Sequence, residues 1–396
     1  MTEITRRALI QKFGATALTA GAFSMTAGIS RAQAGELVIG ASLPLTGGFA
    51  FAGIAIERGI QDYLAIVNES GGIAGRKVRL AFEDTGYKPD ASVAVYNKLT
   101  SQNQINLYYG DSTGFAKAIS PELGRTNKIL MGGASFASEL NNPEKFPNIF
   151  MAGPDYSNMI GILMKYIATK DPGSKIVLVN SDTEFGRDPI AFSRSKAAEL
   201  GLKIVAEIIT QPTAADISTE VLRLRQVRPD YVLFHGYVLA PLPEFISQAK
   251  QLGLKAKFMG TFWSMDSSLW DGVGEVADGF MGIMPYRYYY DSEPAPMLEK
   301  IRKMRPEYQA TGYMQGMVSA MFMLEAAKRV LESGKELNGR NLKSALNTIQ
   351  DFDTGGLIGV PASIYGNSVP IGRIYQYSAA ERKMLPVSDW IDVASK

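Results

Sequence analysis

Residues 106–140, with the sequence NLYYGDSTGFAKAISPELGRTNKILMGGASFASEL, hold two short apolar runs that each end in small and hydroxyl side chains. Ile105–Tyr109 and Lys128–Met131 have the composition of buried strands, and the segment between them is predicted to be a helix. A strand, a helix and a second strand joined by short loops are typical of a parallel α/β sheet. This unit therefore predicts the fold class of the chain.

The ends of these two strands also predict a binding site. Ser112 and Thr113 follow the first strand, and Ser135 follows the second. Open parallel sheets bind ligands beyond the carboxyl ends of their strands, where helix N-termini offer free N–H groups and a positive dipole end. Three hydroxyl groups at that place predict a pocket for a small anion, most simply a carboxylate. The alternative is that these residues serve only as helix N-caps.

The same alternation continues on both sides of this unit. Upstream the sequence predicts strand Leu37–Leu43, helix Gly53–Glu69, strand Lys77–Phe82 and helix Asp90–Thr100. Helices and strands alternate again from Tyr156 to Met284, among them a helix over 187–200 and strands Lys203–Thr210 and Lys257–Gly260. Further helices, including Glu307–Ser333, follow up to Asn347, and Ile371–Tyr377 with Arg382–Val387 predicts a closing hairpin. No Pro-, Gly- or Ser-rich linker separates the halves, so we expect two lobes between which the chain crosses more than once.

Composition argues against several classes of function. The chain has 396 residues, 46% hydrophobic and 20% charged, as in an ordinary globular protein long enough for two domains. No basic patch indicates a nucleic-acid partner. The absence of cysteine and the single histidine, His235, argue against thiolate or histidine catalysis and against a metal centre. We predict no enzymatic activity, no metal and no cofactor, and a structural role for His235 at a strand end.

The N-terminus predicts export. Thr5–Ile10 reads TRRALI and resembles a twin-arginine motif, an apolar run follows from Phe13 to Ile29, and Ala32-Gln33-Ala34 has the pattern of a cleavage site. We predict that residues 1–34 are a cleaved export signal, with an ordinary secretory signal as the alternative. No comparably long apolar segment follows, so we expect no membrane insertion after signal removal.

Three further segments resemble a known family. Asn68–Lys77 reads NESGGIAGRK and matches an N-x-x-G-G-I-x-G-R/K pattern after the first helix, Leu37–Gly53 matches a first strand and loop, and Ala249–Gly260 matches a helix–strand joint. Together they resemble the periplasmic leucine/isoleucine/valine-type solute-binding proteins of ABC importers. The resemblance implies two doubly wound parallel-sheet lobes with three crossovers, a ligand cleft between them, a location in the periplasm and a membrane permease as partner. The expected lobes are residues 35–155 plus 286–358, and residues 156–285 plus 359–396.

The resemblance also implies roles for particular residues. In amino-acid-binding members the first lobe holds the ligand carboxylate at its third and fourth strand ends, which here are Ser112-Thr113 and Ala134-Ser135-Phe136. The second lobe normally supplies a glutamate for the ammonium group, and that position falls on Phe262, beside Trp263. An ammonium buried without a counter-charge is unfavourable by several kcal/mol. The loss of the glutamate therefore favours an acid with a flat or apolar body.

Other aromatic residues fit the same interpretation. Phe185 occupies a family position that is often a tyrosine, Tyr237 follows the strand that ends at His235, and Phe49 and Phe51 lie on the first loop. We expect the body of the ligand to lie among Phe185, Tyr237, Phe262 and Trp263, although ordinary packing explains any one of them. Asp111 can replace the missing acid, in which case the ligand is an amino acid.

These observations favour an exported solute-binding protein whose ligand is a small aromatic or apolar carboxylate. A branched-chain or other amino-acid-binding protein of the same family is the first alternative. A ligand-sensing regulator is the second, and the export signal argues against it. A dinucleotide-dependent enzyme is disfavoured because Gly47, Gly48 and Gly53 do not form G-x-G-x-x-G.

Overall fold

The computed structural model describes residues 35–394 except 213, 215, 239 and 272. The predicted export signal at residues 1–34 lies outside the described residues. None of the helices in the described part of the chain combines the length and apolar character that a membrane crossing requires.

The first lobe is built on a four-stranded sheet. Its elements in chain order are β1 (Leu37–Leu43), α1 (Ala50–Glu69), β2 (Val78–Asp84), α2 (Pro89–Gln102), β3 (Ile105–Gly110), α3 (Thr113–Thr126) and β4 (Leu130–Gly133). The strand order is β2-β1-β3-β4 and every pairing is parallel. All seven residues of β1 are buried, as expected for a parallel strand covered by helices on both faces.

The second lobe is built on an eight-stranded sheet. Its helices are α4 (Tyr156–Lys170), α5 (Glu184–Arg187), α6 (Ile190–Glu199), α7 (Ser218–Val227), α8 (Leu242–Gln251) and α9 (Ser267–Asp271). Its strands are β5 (Lys175–Ser181), β6 (Lys203–Thr210), β7 (Tyr231–His235), β8 (Lys257–Gly260), β9 (Met281–Met284), β10 (Ile371–Ser378), β11 (Lys383–Pro386) and β12 (Ile391–Asp392). The order is β11-β10-β9-β8-β7-β5-β6, with β12 beside β10. The predicted closing hairpin is confirmed, because β10 pairs antiparallel with β11.

The chain crosses between the two sheets three times. It passes from β4 to α4, returns after β9 to α10 (Pro296–Met304), α11 (Thr311–Glu332) and α12 (Gly339–Leu346), and finally enters β10. Helix α11 packs along α1, and α12 packs on α11 and β4, so both belong to the layers of the first sheet. Two parallel-sheet lobes with three crossovers confirm the predicted fold class. The predicted residue boundaries of the lobes stay a prediction.

Two helix starts differ from the predictions for a physical reason. The helix predicted over 187–200 is preceded by a turn, α5, whose start is capped by Thr183, the side chain of which accepts a hydrogen bond of 2.9 Å from the Gly186 N–H. The helix predicted from Glu307 begins instead at Thr311. There the backbone N–H of Thr311 donates over 2.6 Å to Asp266 of the second lobe. A cap supplied from another lobe is invisible in the local sequence.

Candidate ligand-binding cleft

A cavity lies between the two lobes at the carboxyl ends of the first-lobe strands. The first lobe lines it with Pro44, Phe49, Ala52, Ile56, Tyr87, Asp111, Ser112, Thr113, Ala134 and Ser135. The second lobe lines it with Tyr156, Phe185, Val238 and Trp263. The space open to water-sized molecules in this cavity is about 30 Å³, room for about two water molecules. A larger ligand therefore requires the two walls to separate by hinge bending.

A pair of hydroxyl groups forms one polar part of the first-lobe wall. The Oγ1 of Thr113 and the Oγ of Ser135 are 2.8 Å apart, and Ser135 Oγ accepts a hydrogen bond of 3.2 Å from the Ala137 N–H. Two hydroxyl protons meet in this pair and only one is needed for the bond between them. The other proton is available to an acceptor in the cavity.

Ser112 both caps a helix and lines the cavity. Its backbone is extended, and its Oγ accepts a hydrogen bond of 3.2 Å from the Phe115 N–H at the start of α3. The capping and ligand-contact interpretations of this residue are therefore compatible. The N-terminus of the 14-residue helix α3 faces the same cavity.

Asp111 is a buried carboxylate beside these hydroxyl groups, with only 2% of its surface exposed. Its oxygens accept hydrogen bonds from the hydroxyl groups of Thr85, Ser92 and Ser112, at 2.8 Å from Ser92 and 3.0 Å from Ser112. Burial raises the pKa of Asp111, and the three hydroxyl donors oppose that rise.

The wall of the second lobe is aromatic, and His235 holds part of it in place. The ring nitrogens of His235 lie 2.9 Å from the Phe185 carbonyl oxygen and 2.8 Å from Thr261 Oγ1. Burial lowers the pKa of His235 to about 3, so the ring is neutral, with Nε2–H donating to Phe185 and Nδ1 accepting from Thr261. His235 does not line the cavity, and it orients a residue that does.

Tyr156, the first residue of α4, is a lining residue that sequence reasoning missed. Its ring lies 4.9 Å from that of Phe185 and 6.0 Å from that of Phe136. The only signal for it was its position directly after the first crossover. Phe49 was noted on the first loop, and it lines the cavity while stacking on Tyr87 with ring centroids 3.8 Å apart.

The predicted site residues divide into two groups. Those that line the cavity are Asp111, Ser112, Thr113, Ala134, Ser135, Phe185 and Trp263. Those that do not line it are Phe51, Phe136, Tyr237 and Phe262. Phe51 packs half-buried against the core.

The non-lining aromatic residues have other partners. Phe136 and Phe262 pack edge to face with centroids 5.8 Å apart, and Phe262 also contacts Tyr286. The hydroxyl of Tyr237 bonds to Thr210 over 2.8 Å, and the next residue, Val238, lines the cavity instead.

Asp266, the first acid after the missing glutamate position, also lies away from the cavity lining. Its carboxylate accepts hydrogen bonds from the N–H of Thr311 at 2.6 Å and from Ser268, and thereby caps α11 across the lobes. Among the residues that the structure describes, those of the second lobe that line the cavity include no acid.

Polar contacts also join the lobes outside the cavity. Asp188 accepts two bonds from the Ser138 N–H, at 3.0 and 3.1 Å, and one of 2.6 Å from the Ser138 hydroxyl. Burial raises the pKa of Asp188 to about 6. Lys117 on α3 pairs with Glu184 on α5 at 2.7 Å.

Comparison with known proteins finds a family and relatives that this chain is similar to. A family profile described as periplasmic binding protein matches residues 36–381. The Leu/Ile/Val-binding protein homolog 3 of Brucella melitensis is 23% identical over 263 residues, which cover 66% of this chain and 71% of that protein.

Two solved structures share the fold. One is a branched chain amino acid ABC transporter from Thermus thermophilus with bound valine, with a TM-score of 0.83, 22% identity, and coverage of 91% of this chain and 97% of that chain. The other is a solute binding protein of an ABC transporter from Rhodopseudomonas palustris BisB5 in complex with 3,4-dihydroxy benzoic acid. Its TM-score is 0.76 at 20% identity, covering 91% of this chain and 99% of that chain.

The fold and the match along most of its length show that the chain belongs to the periplasmic binding protein family. Within that family it is similar to the Leu/Ile/Val-binding proteins, which confirms the resemblance predicted from its sequence.

Proposed function

We propose that this protein is the extracytoplasmic solute-binding component of an ABC importer and binds a small organic carboxylate with an aromatic or apolar body. The observation that carries the choice of ligand is the second-lobe wall, where the described lining residues are Tyr156, Phe185, Val238 and Trp263 and include no acid. A ligand ammonium facing this wall would lose its water shell without gaining a counter-charge.

The first lobe supplies the complementary polar end. The carboxylate sits at the N-terminus of α3, where the helix dipole and unpaired N–H groups favour an anion. The hydroxyl pair of Thr113 and Ser135 adds one donor. Hinge closure then brings the aromatic wall over the apolar body of the ligand.

A branched-chain amino acid is the second candidate. Asp111 lines the cavity from the first lobe, and its raised pKa reflects a carboxylate that burial destabilises. An ammonium group beside it would relieve that cost. The names of the Brucella relative and of the valine-bound Thermus structure support this ligand class.

Location and partner follow from the same proposal. The predicted export signal places the mature chain in the periplasm, where the closed lobes present their outer surfaces to a membrane permease. Binding without chemical conversion is the role, and the protein is not an enzyme. Fractionation of the native host tests the location, since a full-length cytoplasmic chain supports the regulator alternative instead.

Calorimetric titration tests the ligand class. The purified protein is titrated with leucine, benzoate, 3-phenylpropanoate and mandelate. We expect saturable binding of an aryl acid with a dissociation constant in the micromolar range or below, which corresponds to a binding free energy of about −8 kcal/mol or a more negative value. Tight binding of leucine together with no heat from either aryl acid or from mandelate, an aryl 2-hydroxy acid, contradicts the proposal and favours the amino-acid alternative.

A further inference from the structure

One side of the polar end of the cavity, at Asp111 and Ser112, has no hydroxyl proton to offer a ligand, and the other side, at Thr113 and Ser135, has one. This difference predicts which ligands bind. We infer that Asp111 turns Ser112 into a hydrogen-bond acceptor and so selects carboxylates that carry a hydroxyl or ammonium donor close to the carboxylate. This inference rests on the proposed carboxylate-binding function and narrows it.

The bonds of Ser112 leave it no proton for a ligand. A serine hydroxyl has one proton and two lone pairs. One lone pair accepts from the Phe115 N–H at 3.2 Å, and the proton points to Asp111 Oδ1 at 3.0 Å, the most strongly accepting atom near it. The remaining lone pair of Ser112 is an acceptor at the cavity.

Two other hydroxyl groups, those of Thr85 and Ser92, also donate hydrogen bonds to Asp111 and keep it an acceptor for Ser112. Thr85 Oγ1 accepts from the Tyr87 N–H at 3.2 Å and donates its own proton to Asp111. Ser92 Oγ lies 2.8 and 3.0 Å from the two carboxylate oxygens. Three hydroxyl groups therefore point their protons at one carboxylate, which has no charged partner among these contacts. This side of the cavity is rich in acceptors and carries negative charge.

The opposite side of the polar end is rich in donors. The pair of Thr113 and Ser135 has one spare proton, and α3 adds the N–H groups at its start that precede Phe115, whose own N–H is bonded to Ser112. Because Ser112 and Thr113 are consecutive residues, the acceptor side and the donor side adjoin each other. A ligand that satisfies both carries its carboxylate and a donor on neighbouring carbons, as 2-hydroxy and 2-amino acids do.

An acid without the donor leaves the buried lone pair of Ser112, next to the charge of Asp111, without a hydrogen-bond partner. Sites built around a substrate O–H or N–H discriminate strongly against analogues that lack the group. We expect a preference of about tenfold to a hundredfold.

The experiment uses two ligand series that differ only at the carbon next to the carboxylate. Phenylacetate, mandelate and phenylglycine form the aryl series, and 4-methylpentanoate, 2-hydroxy-4-methylpentanoate and leucine form the branched series. By calorimetry we expect the hydroxy or amino member of the bound series to bind at least about tenfold more tightly than its plain acid. Equal affinity of the plain acid overturns this inference and leaves the proposed function standing. The absence of measurable binding of any of the six acids overturns both this inference and the proposed function.

Variants locate the effect. In Asp111→Asn the amide can donate to Ser112, so the preference for the donor-bearing acid falls to about threefold or less. Asp155→Asn is the matched control, because Asp155 is also buried, caps α4 by accepting from the Asn158 N–H at 2.8 Å, and does not line the cavity. Its preference stays at the unmodified value.

A second variant protects the test against misfolding. If Asp111→Asn does not show a cooperative thermal transition, Ser112→Ala removes the acceptor and keeps Asp111, and the same loss of preference is expected. A folded variant of either kind that retains the full preference overturns the inference.

Discussion

At the scale of single residues, a side chain's neighbours decide whether it serves the cleft or the core. Phe262 and Trp263 are consecutive and both were predicted to contact the ligand, yet only Trp263 lines the cavity. They lie in a 3₁₀ turn over Phe262–Ser264, which points successive side chains in different directions. The sequence predicted an aromatic wall, and of the four rings named for it Phe185 and Trp263 line the cavity. The orientation of each ring depends on packing that no local pattern encodes.

His235 gives a residue-scale prediction that is simple to read because the chain has one histidine. Its folded-state pKa of about 3 means that the ring stays neutral in the native protein. We expect its imidazole C–H resonances to keep constant chemical shifts between about pH 5 and 8, whereas an accessible imidazole titrates near 6.5. A transition in NMR spectra within that range contradicts the assigned hydrogen bonds to Phe185 and Thr261. The urea-unfolded chain is the control and should titrate normally.

The hydroxyl pair of Thr113 and Ser135 gives the second residue-scale prediction. Thr113→Val combined with Ser135→Ala removes both hydroxyls of the pair, whereas Thr113→Val alone would leave the Ser135 proton free to donate. We expect about tenfold weaker binding of the carboxylate ligand, as for the loss of one hydrogen bond to a charged group. Thr100→Val is the control, because that hydroxyl bonds within its own helix to Tyr96 at 2.8 Å. Equal affinities of the double variant and the control by calorimetry would remove the pair from the site.

At the scale of elements, hydrophobic periodicity was sufficient for the strands and insufficient for some helix ends. Strands β1, β6 and β8 have the predicted bounds, because runs of apolar residues between turns specify parallel strands. Helix α11 starts four residues later than predicted because its capping group, Asp266, comes from the second lobe.

The packing of α1 on α11 gives an element-scale prediction. A Cβ atom added at Gly59 would lie 2.0 Å from the carbonyl oxygen of Tyr313, so the two helices touch at a point that admits only glycine. Gly59→Ala should lower the free energy of unfolding by about 2–3 kcal/mol in urea denaturation. Gly124→Ala in α3, where the new atom meets only ordinary contacts, should be neutral or stabilising by up to about 1 kcal/mol. Equal effects would refute the close contact.

At the scale of the whole molecule, the two lobes and their order along the chain were predictable, while their mutual contacts were not. Ser138 and Asp188 are 50 residues apart in sequence, and neither belongs to a recognisable motif. Contacts of this kind depend on how two completed lobes meet, which is why the sequence predicted a cleft and gave no indication of what joins its sides.

The burial of Asp188 makes stability depend on pH, because it raises the pKa of this carboxyl although the hydrogen bonds from Ser138 oppose the rise. The carboxyl of Asp188 has a pKa of about 6 in the fold, above its value of 3.8 in an unfolded chain, so the native state binds the proton more tightly. The stabilisation from this group is present at low pH and is lost as the pH rises from about 4 to 6. The free energy of unfolding of the unmodified protein, minus that of Asp188→Asn, should fall by about 1–3 kcal/mol across this range. A flat difference in urea denaturation contradicts the prediction, and the exposed Asp90→Asn serves as control.

The Asp266–Thr311 bond also constrains the path of opening. It is buried and is reinforced by a hydrogen bond of 2.5 Å from the Thr311 hydroxyl to the Met265 carbonyl. The ion pair of Lys117 and Glu184 is instead exposed to solvent. Buried hydrogen bonds are costly to break and exposed ion pairs are not. We therefore expect the lobes to open by rotation about a hinge near Asp266. Spin labels near that residue should keep their separation, whereas labels beside Lys117 and Glu184 should move apart.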